Sequence, residues 1–98
     1  MWDNKLRGNV LRTLYDLDTI SSIYHRIDMV QIVCGLSEEE FERVVQQLTK
    51  EKLIDNELQH SYIVGNDMNA IKITQLGIDI VNKKADSPIP IQFEIELE

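Results

Sequence analysis

The stretch LSEEEFERVVQQLTKEKLI, residues 36–54, has the start, core face and end of a helix written into it. Ser37 is a favoured N-cap residue. Glu40, three positions on, can return a hydrogen bond to the cap's backbone N–H, which makes a capping box. Phe41, Val44, Val45 and Leu48 recur at i, i+3, i+4 and i+7 and so share one apolar stripe. An end near Lys52 gives roughly four turns. A rod of that kind needs other elements to cover its stripe, and the flanking sequence supplies them.

On the N-terminal side, a first helix is predicted over residues 4–17. Leu6, Val10, Leu14 and Leu17 lie on one side, extended by Trp2 and Ile20. Gly8 is expected on the polar side, where it weakens the helix by about 1 kcal/mol without opening a hole in the core. Leu11 and Tyr15 sit off the main stripe and are expected to meet a later element. A second helix is predicted over residues 25–34, ended by Gly35. Ile27, Val30 and Cys34 form one stripe, extended by Ile23. Met29, Ile32 and Val33, with Leu36 beyond, form a nearly opposite one. A helix apolar on two sides must be covered on two sides, by the body of the domain and by some other segment or chain.

Beyond residue 54 the periodicity changes. LQHSYIV at 58–64 is rich in strand-favouring residues, and AIKIT at 70–74 puts Ile71 and Ile73 on one face. Gly65, Asn66, Asp67 and Asn69 between them predict a hairpin with a loop of about five residues. Thr74 can cap a short last helix containing Leu76, Ile80 and Val81, ending near Lys83 and Lys84, whose charge suits a helix C-terminus.

The order helix, helix, helix, hairpin resembles the winged helix-turn-helix superfamily over about residues 5–84. The matching run extends from Ile27 through CGLSEEEFERVVQQLTKEKLI to the hairpin and IKITQLGIDIV. The resemblance implies an α+β winged helix, with three bundled helices and a hairpin wing. Gly35 and Leu36 would be its turn, residues 37–51 its recognition helix and residues 61–73 its wing. Two departures stand out. Lys52 occupies the place where such proteins usually have a glycine before the Leu-Ile pair, and the wing tip GNDMN holds no Arg or Lys.

Composition bounds what such a domain can be. Ninety-eight residues, 43% of them hydrophobic and 28% charged, suffice for one modest core. Residues 1–85 are expected to form the winged-helix domain. The single cysteine, Cys34, permits no intrachain disulfide, which fits a reducing compartment. The N-terminal stretch has no apolar run that could serve as a signal core, and no segment has the apolar length of a membrane span, so no membrane association is expected and a cytoplasmic location is the default. The net charge of −7 is unevenly spread, with residues 1–36 neutral, 37–54 at −2 and 55–98 at −5. Such acidity opposes non-specific binding of polyanions.

On the expected recognition helix, Glu39, Arg43, Gln46 and Lys50 lie opposite the apolar stripe. Arg43 and Gln46 can read base edges, and Lys50, Arg26 and Lys72 can meet phosphates. These five are the candidate DNA contacts. Glu38, Glu39, Glu40 and Glu42, however, crowd the turns that enter a groove first. They suit a helix N-terminus electrostatically and repel phosphate.

The tail reads differently. After Pro88, the residues Ile89, Ile91, Phe93, Ile95 and Leu97 alternate with Pro90, Gln92, Glu94, Glu96 and Glu98. That is the period of a strand with one apolar and one acidic face. Residues 86–98 are therefore expected to form an extra C-terminal strand that packs on the domain or on a dimer partner. The wing's exposed edge and the stripe Met29, Ile32, Val33 and Leu36 are the two candidate surfaces, and the stripe is the one it is expected to cover. Met29, Ile32, Val33, Ile91, Phe93 and Ile95 are the candidate interface. An unstructured acidic end is the competing reading, and the regular alternation argues against it.

Chemistry-bearing patterns are sparse. Cys34 lies on a core stripe, and His25 and His60 have no HxxxH or CxxC partner, so no metal, cofactor or catalytic residue is expected. His25 and Asp28 stand one turn apart, a spacing of surface pairs. Two functions remain. The first is a small transcription-regulator-like protein that binds double-stranded DNA as a homodimer. The second is a winged-helix module that holds a protein partner and does not bind DNA. The charge distribution favours the second and the commonest use of the fold favours the first, which is expected narrowly ahead.

Overall fold

The computed structural model describes residues 2–61 and 65–93. It is an α+β arrangement of four helices and a three-stranded antiparallel sheet. In chain order the elements are α1 (Trp2–Ile20), β1 (His25–Arg26), α2 (Ile27–Cys34), α3 (Glu38–Lys50), β2 (Ile54–Ser61), β3 (Asn66–Ile73) and α4 (Gln75–Val81). The sheet order is β1-β3-β2.

α3 forms as its sequence dictates. The Ser37 side chain accepts from the Glu40 N–H, and the Glu40 carboxylate accepts from the Ser37 N–H, closing the capping box. Phe41, Val44, Val45 and Leu48 are all buried in the one core, beside Leu6, Val10, Leu11 and Leu14 of α1 and Ile71 and Ile73 of β3. Ile20, expected to extend the α1 stripe, is 82% exposed, because the last turn of α1 runs past the core.

α1 carries a second contact line, and Gly8 lies on it. Leu11 is fully buried, and the Tyr15 hydroxyl donates to Asn82 Oδ1 just past α4. Gly8 does not face solvent as expected. The tail crosses it so closely that an added Cβ would sit 2.0 Å from the Gln92 carbonyl oxygen. Asn4, Gly8, Leu11 and Tyr15 recur at i, i+4, i+7 and i+11, a second face of the same helix.

His25 and Arg26 are not the first turn of a helix. They form β1, with His25 opposite Ile71 and Arg26 opposite Ala70, and α2 starts only at Ile27. Their backbone groups are satisfied by the sheet, so the helix begins where that pairing stops. Ile23, ahead of this strand, is consequently exposed and does not extend the buried α2 stripe. The hairpin also differs from expectation. β2 begins at Ile54, because Ile54 is buried opposite Ile73. Asn66, Asp67 and Asn69, expected in the turn, pair with Ser61, His60 and Leu58. The backbone ladder accepts these residues whatever their turn preference. The last part of the predicted first strand, 62–64, lies outside the described residues.

Three helices end in the same way, with a residue in left-handed conformation and paired return bonds from its own N–H and that of the residue after it. In α2 it is Gly35 (φ 70°), in α3 Lys52 (φ 62°), and after α4 Lys83 (φ 60°). For α3, the Lys52 N–H donates to the Thr49 carbonyl and the Leu53 N–H to that of Leu48. For α4, Lys83 donates to Ile80 and Lys84 to Asp79. This is the Schellman arrangement, which favours glycine at the left-handed position. Lys52 and Lys83 are exposed and carry a Cβ where glycine would be unstrained. Lys52→Gly and Lys83→Gly are each expected to stabilise by about 0.5–1 kcal/mol, the relieved strain exceeding glycine's greater freedom in the unfolded chain. Urea denaturation of both variants checks this, and destabilisation at either site contradicts it.

α4 is capped by Thr74, whose hydroxyl accepts from the Gly77 N–H and lies 2.7 Å from the Lys52 carbonyl, tying α4 to the end of α3. Gly77 brings the helix against the sheet, since an added Cβ would lie 2.4 Å from the Leu53 carbonyl oxygen.

Beyond α4 the alternation of the tail is realised as far as it is described. Ile89, Ile91 and Phe93 are half-buried against the core, while Pro88, Pro90 and Gln92 are exposed. The pairing is not as expected. Residues 86–93 add no strand to the sheet and lie along α1. Arg7 donates to the Pro90 carbonyl (2.9 Å), and the Gln92 N–H donates to the Asn4 carbonyl (2.9 Å). The groove made by the missing Gly8 side chain, with a polar group at either end, holds an extended backbone as a sheet edge would.

Candidate functional site

The outward row of α3 is set by the same spacing that buries its other side. Glu38, Glu42, Gln46 and Lys50 stand four apart, with Glu39 beside them, and all five are exposed. Arg43 is not free in this row. Its Nη2 lies 2.8 Å from Asp3 Oδ1 and its Nε 3.3 Å from Asp3 Oδ2, a two-pronged bond to the first turn of α1. One turn further, Gln47 accepts from Arg7 Nε at 2.7 Å. Arg7 also donates to Asn4 Oδ1 and, as above, to Pro90. Asp3 and Arg7, absent from the residues singled out in the sequence, thus join α1, α3 and the tail. Their i, i+4 spacing at the start of α1 was the available signal, but it does not reveal a cross-helix partner.

The hydrogen bond from Arg43 holds the Asp3 carboxyl below its ordinary pKa of 3.8 against the opposing effect of partial burial. A lowered folded-state value means that the pair stabilises the fold above the unfolded pKa, and that this contribution is lost as pH falls through the lower folded value. Asp3→Asn is therefore expected to lower the melting temperature near pH 7, and to lower it less at an acidic pH where the wild-type carboxyl takes up its proton. An equal loss at both pH values would show that the carboxylate charge is not what matters.

The other candidate DNA contacts are scattered. Gln46 and Lys50 remain outward on α3. Arg26, at the junction of β1 and α2, is 2.9 Å from Asp28 in a surface ion pair. Lys72 lies on β3 opposite Asp55 of β2. Near that place the Tyr24 hydroxyl approaches Asp55 at 3.5 Å, and partial burial together with Asp55 and Glu57 pushes its pKa up. The bases that would meet phosphate thus stand among carboxylates.

The candidate interface divides in two. Met29, Ile32 and Val33 are exposed by 40%, 79% and 58%. Leu36 is half-buried against the core. Ile91 and Phe93, expected to cover this stripe, are held against α1, and Ile95 lies outside the described residues. The physical reason is the position of Gly8. Asn9, on the other flank of α1, donates to the Cys34 carbonyl of α2, so α2 and the tail sit on different sides of α1.

Cys34 is buried, and burial pushes its thiol pKa up, which disfavours the reactive thiolate. Among the described residues no three His, Cys, Asp or Glu side chains come together where a metal could be held. No helix among them is long and apolar enough to cross a membrane. Family models, curated proteins and solved structures give no match to this chain.

Proposed function

We propose that this chain is a non-catalytic winged-helix module that holds a protein partner and does not read DNA. Its three helices followed by a hairpin support the winged-helix assignment. The observation that carries the functional reading is the engagement of Arg43 with Asp3. With Arg43 turned to α1, the row that would face a groove consists of Glu38, Glu39, Glu42, Gln46 and Lys50. Three carboxylates against one ammonium repel a phosphate backbone, whose neutralisation dominates DNA affinity. For Arg43 to reach a phosphate it must first give up two charge-assisted bonds. The raised pKa of the Cys34 thiol supports the non-catalytic part, and a lone buried thiol suits a reducing, cytoplasmic setting.

Fluorescence anisotropy with mixed-sequence duplex DNA at two salt concentrations tests this. No binding is expected even at low salt. Saturable binding that weakens with salt and with Lys50→Ala would return the chain to the first function, a DNA-binding regulator.

A further inference from the structure

We propose that the outward face of α2, formed by Met29, Ile32 and Val33, docks a basic amphipathic helix of a partner protein, with Glu38, Glu39 and Glu42 of α3 as its electrostatic rim. The proposal rests on the protein-binding reading above and names the surface and the partner's chemistry.

Three observations converge. First, α2 has only eight residues, yet it is apolar on both sides. Val30 and Cys34 are buried, while Met29, Ile32 and Val33 stand out within an arc of about 100°. Isolated exposed apolar residues are ordinary, but three at i, i+3 and i+4 make a contiguous strip of the kind that receives a helix in a groove. Second, the segment best suited to cover this strip from within the chain is committed elsewhere, because residues 89–93 are fixed on α1 by Arg7, Asn4 and the close approach at Gly8. Third, the strip is joined by the turn at 35–37 to the first turns of α3. There Glu38, Glu39 and Glu42 are exposed, and none is in a salt bridge among the described residues.

Charge selects between the occupants. A second copy brings a net charge of −7 and the same carboxylates to the contact, so each copy repels the other. A helix with lysines or arginines flanking an apolar stripe meets both features at once. Its apolar residues lie along Met29, Ile32 and Val33, and its cations meet the rim.

The test uses the full chain and a fluorescein-labelled peptide of about 18 residues with leucines at i, i+3, i+4 and i+7 and lysines elsewhere. A second peptide carries glutamates in place of the lysines. The lysine peptide is expected to bind saturably and the glutamate peptide not to bind. The double variant Ile32→Ser, Val33→Ser leaves the net charge unchanged, alters only exposed positions and should melt at the wild-type temperature. It is expected to weaken binding by about tenfold or more. The triple variant Glu38→Gln, Glu39→Gln, Glu42→Gln should weaken binding and flatten its salt dependence. Equal affinity of the wild type and the serine variant would reduce the interaction to net charge and overturn the proposal, as would no binding of the lysine peptide. A dimer in sedimentation that the serine variant dissociates would make a second copy the occupant and also overturn it. Failure of the peptide together with absence of DNA binding removes this surface alone, whereas DNA binding removes the protein-binding reading itself.

Discussion

Gly8→Ala is expected to destabilise the full chain by about 1–3 kcal/mol and to stabilise a chain lacking residues 87–98 by about 0.5–1 kcal/mol. The two signs have separate causes. In the middle of a helix, alanine is the better residue by about 1 kcal/mol. At this position, however, its methyl would lie 2.0 Å from the Gln92 carbonyl oxygen and 2.7 Å from its carbon. Both are backbone atoms and cannot rotate away, so either the tail lifts or α1 shifts. Ile89, Ile91 and Phe93 then lose contacts with the core. Without the tail nothing occupies that space, and only the propensity gain remains. Urea denaturation of the four chains forms a double-mutant cycle, and a coupling near zero would mean that the tail does not cross Gly8.

Phe41→Ala is expected to cost about 3–5 kcal/mol, the range for a buried aromatic truncated in a packed core. Phe41 is 1% exposed and is among the largest fully buried side chains of the molecule. For a domain of this size, whose whole stability is about 5–15 kcal/mol, that loss is a large part of the total. Ile32→Ala removes a comparable apolar side chain from the surface and is expected to change stability by no more than about 0.5 kcal/mol. Circular dichroism through a denaturant titration separates the two. Similar losses at both positions would place Ile32 in a core and remove the exposed face of α2.

The part of the fold written most plainly in the sequence is local. The capping box of Ser37 and Glu40, the stripe from Phe41 to Leu48 and the Thr74 cap each depend on residues within one or two turns, so spacing alone reveals them. β1 could not be read in this way. A strand of two residues is defined by Ile71 and Ala70, some 45 positions away, and nothing in His25 or Arg26 requires it. The second face of α1 was legible in principle from Asn4, Gly8, Leu11 and Tyr15. Gly8 conceals it, because a glycine signals a close approach only when something is known to approach. Alternation in the tail predicted which side chains turn inward, but a period of two carries no information about the surface that receives them. The outward row of α3 was partly legible. Its glutamates were evident, whereas the engagement of Arg43 depends on Asp3, 40 residues earlier.

The bonds that tie Pro90 to Arg7 and Gln92 to Asn4 also bear on the order in which the molecule assembles. They join points 83 and 88 residues apart, nearly the longest chain closure available to this domain. Long closures give up conformational freedom before any contact rewards them, so they form late, after the helices and the hairpin have already brought the ends together. A seal laid down after the rate-limiting step leaves the folding rate almost unchanged and acts on the way out, by slowing escape from the native state. The tail is therefore expected to slow unfolding rather than to speed folding.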